Sequence, residues 1–285
     1  MNLKLNERDI IPKKVCAIHD LSCLGRCALT VVIPILSQLG IQTIPLPTAL
    51  LSTHTGGYKG FSFLELTDEM EKIQNHWVSL GTEFDCVYSG FLGDEKQIEF
   101  VLDFARYCHK KNGALFLADP VMGDDGKKYQ TYTDRMCALT ADLAKNADII
   151  TPNITEACIL LGTPYRESFT KSEIRDMLDS LSNGGKTSVV ITGVSDGEGT
   201  IGARYFDRDT LGYGNHCTKR LDVSYPGTGD AFASVVLGAM LRGRSLGEAV
   251  FSAVSYVYTA VELTHRMGTP VREGILLESI SVEDI

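Results

Sequence analysis

The alternation of two hydrophobic patterns along the chain is the feature that most constrains its fold. Short apolar runs alternate with longer segments in which apolar residues recur at helical spacing, and this alternation is typical of a parallel sheet wound from βαβ units. We therefore expect an α/β fold with helices on both faces of a mostly parallel sheet. The predicted strands are Lys14 to His19, Gly40 to Pro45, Phe84 to Ser89, Ala114 to Ala118, Asp148 to Thr151 and Ser188 to Thr192.

Helical spacing is clearest in three segments. An apolar stripe from Ile98 to Cys108 predicts a helix that ends near Gly113, a second helix follows Asp230, and a third runs from Leu246 to about His265. The segment 200–223 instead carries glycines without helical spacing, which predicts an antiparallel extension of the sheet.

Composition and charge exclude several classes of protein. The 285 residues are 44% hydrophobic and 22% charged, with no linker between domains, so we expect a single domain over residues 1–285 with an N-terminal extension at 1–14. The net charge of −9 disfavours nucleic-acid and anionic-membrane partners. No apolar stretch approaches the roughly 18 residues of a spanning helix. The start lacks the apolar region of a signal peptide, so a cytoplasmic location is expected.

The eight cysteines are dispersed through apolar segments rather than grouped. This distribution predicts reduced, mostly buried thiols instead of a disulfide framework. There is no C-x-x-C, and Cys23 and Cys27 have no second ligand pair at zinc spacing, so we expect no structural zinc.

A glycine-rich turn, Pro226 to Phe232, leads directly into a helix and predicts an anion site. Gly227 and Gly229 allow close backbone approach, and the free N–H groups at a helix start favour a phosphate or a developing negative charge. Asp230 would then lie beside that anion. The structural alternative is that Thr228 or Asp230 merely caps the helix.

A second segment follows the strand at 114–118 and carries Asp119 and Asp124. Ligands of open α/β sheets bind at the carboxyl ends of the strands, where these carboxylates could hold Mg²⁺. The alternative is a solvated turn, because Asp-Gly and proline are ordinary turn formers.

A third segment, Thr151 to Ala157, also follows a strand. Asn153 and Glu156 have the spacing of a capping box, which could be their whole role. Three acidic or anion-binding loops at one sheet edge are nevertheless difficult to assign to capping alone.

Polar segments also follow the first two strands, at residues 18–22 and 52–58, and both suit recognition of a small polar ring. We expect no relay between His19 and Asp20, because adjacent strand residues point to opposite faces. No G-x-x-x-x-G-K-[ST] or G-x-G-x-x-G accompanies the first strand, which disfavours P-loop and dinucleotide-binding proteins.

The order of these motifs resembles the ribokinase-like superfamily, and within it the vitamin B6 kinases, from Ala17 to about Thr264. The resemblance rests on segments 52–58, 89–93, 119–129, 151–156 and 227–230. It implies a three-layer sandwich, a homodimer, and transfer of the γ-phosphoryl group of ATP to the 5′-hydroxymethyl of pyridoxal, pyridoxine or pyridoxamine, with Mg²⁺ and a monovalent cation, K⁺ or Na⁺.

The resemblance also implies roles for individual residues. Asp230 matches the catalytic base, and Gly227, Thr228 and Gly229 match the anion hole. Asp119, Asp124 and Glu156 match positions around Mg²⁺, the monovalent cation and the triphosphate. The remaining ATP-side matches are Tyr129, Thr151, Asn153, Thr192 and Gly229.

On the vitamin side the matching positions are Asp20, Ser22, Thr55 and Phe91, with residues 48–60 as a substrate-side flap. Many B6 kinases carry serine in place of Asp20 and tyrosine in place of Phe91. These two departures leave the preferred vitamer open, and an acidic Asp20 favours a protonated ring nitrogen or the amine of pyridoxamine.

Three alternatives remain from the sequence. The sister branch phosphorylates hydroxymethylpyrimidine or its phosphate in thiamin synthesis and shares the segments at 119–124 and 227–230, but its usual glycine-rich opening is not matched at 19–26. A sugar or nucleoside kinase fits the N-terminal region less well. A non-catalytic vitamer-binding protein would not need a base beside an anion hole.

Overall fold

The computed structural model describes residues 11–281 of the chain. Its strands are β1 (Lys14–Leu24), β2 (Gln42–Thr53), β3 (Phe63–Glu65), β4 (Cys86–Ser89), β5 (Leu115–Ala118), β6 (Gly123–Asp124), β7 (Lys127–Lys128), β8 (Ile149–Ile150), β9 (Ser188–Val194), β10 (Thr200–Asp207) and β11 (Gly212–Lys219). Nine of them form one sheet in the order β11-β10-β9-β8-β5-β4-β1-β2-β3, and β6 and β7 form a separate hairpin. All six predicted strands are confirmed, as is the antiparallel extension, which is β10 and β11.

The helices of the described chain are α1 (Leu29–Gln38), α2 (Thr67–Ser79), α3 (Glu95–Asn112), α4 (Asp134–Lys145), α5 (Ile154–Leu161), α6 (Lys171–Leu181), α7 (Thr228–Leu241) and α8 (Leu246–Met267). The three helices predicted from periodicity are confirmed as α3, α7 and α8. α3 begins where the Asp94 side chain accepts the Lys96 amide, and it ends at Gly113 in the left-handed conformation, with φ 75°.

The sheet is buried on both faces, which makes the protein a three-layer sandwich of the predicted class. Alternate residues of β1 belong to different cores: Val15 and Ala17 pack with α1, α7 and α8, whereas Cys16 and Ile18 pack with α2 to α6. Burial on both faces explains why the parallel strands read as continuous apolar runs rather than as alternating ones.

The order of the strands indicates where a ligand would bind. β1 pairs in parallel with both β2 and β4, and the chain then continues from β4 through β5 and β8 to β9 in parallel. The winding direction therefore reverses beside β1, and in open α/β sheets ligands bind at this reversal, outside the carboxyl ends of the strands.

Two predicted boundaries need correction. β1 already includes Lys14, so an extension could end no later than Lys13, and residues 1–10 lie outside the described chain. Half of the predicted flap is strand, because β2 continues to Thr53 and pairs with β3 at residues 49–51. The connection that remains between the two strands is 54–62.

All eight cysteines, which lie within the described residues, are free thiols. Only four of them are buried, namely Cys16, Cys86, Cys108 and Cys158, so the expectation of mostly buried thiols is too strong. Between residues 11 and 281, no helix combines the length and the apolar character that a membrane span requires.

Candidate active site

Asp230 is held in the first turn of α7 by the beginning of another helix. Its Oδ2 accepts the backbone N–H of Ala28 at 2.8 Å and the Cys27 thiol at 3.7 Å, and its Oδ1 lies 3.8 Å from Nδ1 of His19. Burial raises the pKa of Asp230, while the Ala28 amide and the Cys27 thiol oppose that rise. Oδ2 is thus held by the segment before α1, whereas Oδ1 lies beside the His19 ring.

Gly227 shapes the turn that precedes α7. It has φ 82°, and a Cβ atom there would lie 2.4 Å from the carbonyl oxygen of Arg26, so only glycine fits. Gly227 is the N-cap of α7 and no side chain of the described chain caps this helix. Thr228 donates its hydroxyl to the Tyr225 carbonyl, and Asp230 bonds Ala28. The capping alternative is therefore wrong for both, and the first-turn N–H groups are suited to an anion.

Two loops with acidic residues, after β5 and after β8, are bonded to each other. Thr151 donates its hydroxyl to Asp119 Oδ1 at 3.0 Å. Glu156 accepts the Met122 amide at 3.1 Å and the Asn153 amide at 2.8 Å, and Asn153 Oδ1 accepts the Glu156 amide at 2.9 Å. The predicted capping box exists, and Glu156 also fastens one loop to the other.

The carboxylates of these loops lack basic partners. Burial and the charge of Asp230 raise the pKa of Asp119 to about 7, and burial and the charge of Asp119 raise the pKa of Glu156. Burial also raises the pKa of Asp124. Among the ion pairs of residues 11–281, none involves these three groups. Buried carboxylates without cationic partners are suited to a hard cation with oxygen ligands.

The three carboxylates do not form a ready-made metal site, because residues 11–281 contain no cluster of three or more metal-binding side chains. Mg²⁺ commonly takes one or two carboxylates and completes its shell with water and substrate phosphates. The residues therefore fit a cation that arrives with a phosphorylated ligand better than one that is bound beforehand.

The other residues predicted to contact ATP lie around the same loops. Thr192, near the end of β9, forms a parallel bridge with Asn153. Asp124 lies in the β6–β7 hairpin, and the Tyr129 amide closes the segment on the Met122 carbonyl at 2.9 Å. The Tyr129 ring is partly exposed.

The residues predicted to contact the vitamer lie at the ends of β1 and β4 and in the β2–β3 connection. Asp20 is buried and accepts the Ser22 hydroxyl at 2.7 Å. Burial, assisted by the charge of Asp230, raises the pKa of Asp20 to about 6 against the opposing effect of Ser22. Phe91 is half-buried and contacts Tyr132 edge to face, whereas Thr55 is exposed.

The β2–β3 connection is anchored at His54, next to Thr55. His54 Nε2 bonds the Arg272 carbonyl at 2.7 Å, and its Nδ1 accepts the Gly56 amide at 3.1 Å. A Cβ at Gly56 would lie 3.8 Å from Pro226, which directly precedes Gly227. The connection thus runs beside the glycine-rich turn that precedes α7.

The sequence did not single out Cys27, Ala28 or Gln97. Gln97 is fully buried, donates to the Thr48 carbonyl of β2 and accepts the Gly93 amide, so it ties the segment that follows Phe91 to β2. The apolar run from Leu29 could have revealed α1, whose beginning faces the same edge as the end of β1. No sequence signal identified Gln97.

His19 and Asp20 lie at an irregularity of β1. β1 changes its register with β2 between His19 and Leu21, and both His19 and Asp20 are buried. As expected, they do not form a relay: Asp20 bonds Ser22, and His19 approaches Asp230.

Comparisons with known proteins agree with this arrangement. The family model for phosphomethylpyrimidine kinase matches residues 33–273. A Bacteroides thetaiotaomicron protein provisionally described as a phosphomethylpyrimidine kinase, in a crystal form with pyridoxal, is 42% identical with a TM-score of 0.90 over 96% of each chain. Pyridoxal kinase from Lactobacillus plantarum is 28% identical with a TM-score of 0.86, over 95% of this chain and 96% of that one. Pyridoxal kinase PdxY from Deinococcus radiodurans is 27% identical over 91% of this chain and 89% of its own.

Fold and site together define an α/β kinase with the ribokinase-like fold. The family model covers most of the chain, and the chain belongs to the phosphomethylpyrimidine kinase family. The resemblance to ribokinase-like B6 kinases is confirmed, because pyridoxal kinases are among its relatives in both sequence and structure.

Proposed function

We propose that the protein phosphorylates the 5′-hydroxymethyl group of a vitamin B6 vitamer with ATP. The observation that carries this proposal is Asp230 in the first turn of α7, whose Oδ2 accepts the Ala28 amide while Oδ1 lies 3.8 Å from Nδ1 of His19. The pyridoxal kinase relatives, and the Bacteroides relative with pyridoxal, support a vitamer as the acceptor.

In this mechanism Asp230 accepts the proton of the vitamer hydroxyl as the hydroxyl oxygen attacks the γ-phosphorus. The bond between that phosphorus and the bridging oxygen of the nucleotide breaks, and ADP leaves. The first-turn N–H groups of α7, at Thr228 and Gly229, donate to the phosphoryl oxygens and stabilise the charge that develops there. Phosphoryl transfer depends mainly on positioning and electrostatic stabilisation, so an ordinary carboxylate suffices as the base.

The acidic loops would hold the cation that accompanies the nucleotide. Asp119, Asp124 and Glu156 would be the oxygen donors for Mg²⁺, with the monovalent cation in the same region, and Mg²⁺ would supply charge neutralisation to the triphosphate. Tyr129, Thr151, Asn153 and Thr192 would contact the nucleotide. On the opposite side Phe91 would stack on the pyridine ring, with Asp20, Ser22 and Thr55 as its polar contacts.

A coupled assay with ATP, Mg²⁺ and each of pyridoxal, pyridoxamine and pyridoxine tests the proposal. We expect phosphorylation of at least one vitamer, and we expect Asp230→Asn to lower kcat by roughly 10²- to 10⁴-fold while vitamer binding persists, since only the base is lost. Equal activity in both proteins would remove Asp230 from its role. Vitamer binding without phosphate transfer by the native protein would indicate a binding protein instead.

Hydroxymethylpyrimidine is the second candidate acceptor, and the family that matches the chain is the observation in its favour. It shares with the vitamers a hydroxymethyl group on a nitrogen heterocycle, so the same base and anion site could serve it. Including hydroxymethylpyrimidine and its phosphate in the assay separates the two functions by kcat/KM. A higher value for either pyrimidine than for every vitamer would reverse our assignment.

We also propose that the protein is a homodimer that uses the β3 edge of the sheet. Leu50 and Leu64 lie opposite each other in the antiparallel β2–β3 pair and are 39% and 55% exposed. An exposed apolar pair at the edge of a sheet, with one member on the edge strand, is suited to burial against a second copy. Light scattering should give twice the mass of the chain, and Leu64→Glu should shift the protein towards monomer.

A further inference from the structure

His19 is the most unusual buried side chain near the candidate base. Its side chain is fully buried in β1, and Nδ1 lies 3.8 Å from Oδ1 of Asp230, the oxygen that the Ala28 amide does not hold. Tyr88 packs edge-on against the imidazole, with ring centroids 4.4 Å apart. A Cβ at Gly90 would lie 2.2 Å from Nδ1. The ring is therefore confined on the side of β4 and directed at Asp230.

Neither ring nitrogen of His19 has a hydrogen-bond partner among the described residues. A buried polar atom without a partner costs free energy, so its retention calls for an explanation. Burial also lowers the pKa of His19 to about 3, which keeps the imidazole neutral, with one N–H donor. Asp230 Oδ1 is the acceptor beside Nδ1, and this favours the tautomer with hydrogen on Nδ1.

We infer that His19 is a positioning residue for Asp230, whose carboxylate it orients through an Nδ1–H···Oδ1 hydrogen bond that forms when substrate is bound. The separation of 3.8 Å requires only a small movement, and catalytic hydrogen bonds are often long without substrate. With Ala28 on Oδ2 and His19 on Oδ1, the carboxylate keeps one orientation and a lone pair for the vitamer hydroxyl. This inference rests on the proposed function, because it gives His19 a task only if Asp230 is the base.

Other titratable groups also face Asp230 and act on the same carboxylate. Asp20 on β1 and Asp119 after β5 repel its negative charge, His54 after β2 favours it, and Cys27 donates to it. Tyr88 on β4 is also close, and burial raises the pKa of its hydroxyl well above the usual range. A hydrogen bond from His19 favours the ionised carboxylate against two nearby acids.

The test compares side chains that differ in whether they can donate to Oδ1. We expect His19→Phe, which keeps a ring but no donor, to lower kcat about tenfold with little change in either KM, because a hydrogen bond to a charged group is lost. The acid limb of the kcat profile should move to higher pH. His19→Gln can still donate and should retain most of kcat, whereas the shorter His19→Asn should not.

His216 provides a matched control. It is also a strand histidine with a pKa lowered by burial, packed against Phe251 with ring centroids 4.4 Å apart, but it lies on β11 at the far edge of the sheet. We expect His216→Phe to leave kcat and its pH profile unchanged. If His19→Phe fails to fold, the Gln and Asn pair carries the test, and equal kcat in these two variants would overturn the inference.

A double-mutant cycle separates this inference from the proposed function. In the Asp230→Asn background, His19→Phe should cause no further loss of kcat, because the carboxylate that it orients is absent. Independent losses would overturn the positioning role. If Asp230→Asn is as active as the native protein, the proposed base is wrong. If it is inactive while His19→Phe keeps the native kcat and pH profile, only the role of His19 is wrong.

Discussion

Gly227 and Arg26 are in such close contact that a Cβ atom at position 227 would lie 2.4 Å from the Arg26 carbonyl oxygen. The segment before α1 and the turn before α7 therefore fit together only through a glycine. Because Gly227 also has φ 82°, we expect Gly227→Ala to destabilise the protein by about 1–3 kcal/mol through steric overlap and backbone strain. The same displacement should lower kcat, since it moves the first turn of α7. Thermal or urea unfolding and steady-state kinetics measure the two effects.

Gly229 provides the matched control for stability. A Cβ there meets no other atom within 4 Å, and its φ is not in the left-handed region. We expect Gly229→Ala to change the free energy of unfolding by less than about 1 kcal/mol, since alanine is also the better helix former. Equal destabilisation by the two substitutions would contradict the contact with Arg26 as the cause.

Glu156 supports a second prediction, because its capping box differs from the two others in the described chain. Glu173 and Glu248 belong to exposed boxes at the beginnings of α6 and α8, whereas Glu156 is buried and also accepts the Met122 amide. We expect Glu156→Ala to cost about 2–4 kcal/mol and to raise KM for ATP, because it removes the box and frees one loop from the other. Equilibrium unfolding and ATP titration measure these changes.

The exposed boxes provide controls within the same chain. Glu173→Ala and Glu248→Ala should each cost only about 0.5–1 kcal/mol and leave KM for ATP unchanged. An unchanged KM in Glu156→Ala, despite lower stability, would limit Glu156 to a capping role.

The sequence was sufficient for the glycine-rich turn before α7 and for the acidic loops, because local pattern determines them. A glycine-rich turn before an apolar helix predicts a helix start, and Asp119 after a buried strand predicts a carboxylate at the sheet edge. Neither prediction requires knowledge of tertiary contacts. The wound sheet was predictable for the same reason, since periodicity and strand length are local properties.

The environment of Asp230 was not predictable, because it depends on packing between distant segments. The Ala28 amide reaches Asp230 only because α1 and α7 pack on the same face of the sheet. The approach of His19 coincides with a register change in β1 that ordinary strand alternation does not anticipate. The rule that adjacent strand residues point to opposite faces correctly predicted that His19 and Asp20 do not form a relay. It could not show that both side chains would be buried.

Asp119 supports a third prediction, which concerns the effect of its ionisation on the stability of the ligand-free protein. Burial and the charge of Asp230 raise its pKa to about 7, so stability from this group is lost as the pH rises from about 4 to about 7. We therefore expect Asp119→Asn to raise the Tm of the ligand-free protein at about pH 8 and to have much less effect near pH 4, where the native side chain is also neutral.

The same variant tests the cation site through a readout other than activity. Mg²⁺ with ADP should raise the Tm of the native protein, and Asp119→Asn should lose most of that increase. Asp148→Asn, which removes a carboxylate that pairs with Arg208, is a control outside the loops and should keep the full increase. An equal increase in native protein and Asp119→Asn would place the cation elsewhere.

Asp20 supports the last prediction, on vitamer preference. Burial raises its pKa to about 6, so the side chain gains its negative charge as the pH rises through that value. A carboxylate beside the ring would favour the cationic amine of pyridoxamine over the aldehyde of pyridoxal. From about pH 5 to pH 8 we expect the ratio of kcat/KM for pyridoxamine to that for pyridoxal to rise roughly three- to tenfold in the native protein and to stay constant in Asp20→Asn.

Stability gives an independent check on the ionisation of Asp20. Because burial raises its pKa, the folded state binds the proton more tightly than the unfolded state, and stability from this group is lost as the pH rises from about 4 to about 6. Asp20→Asn should therefore have a higher Tm than the native protein at neutral pH and a similar Tm near pH 4. If that difference appears while the ratio of kcat/KM is the same in both proteins at every pH, Asp20 ionises as described but does not select the vitamer.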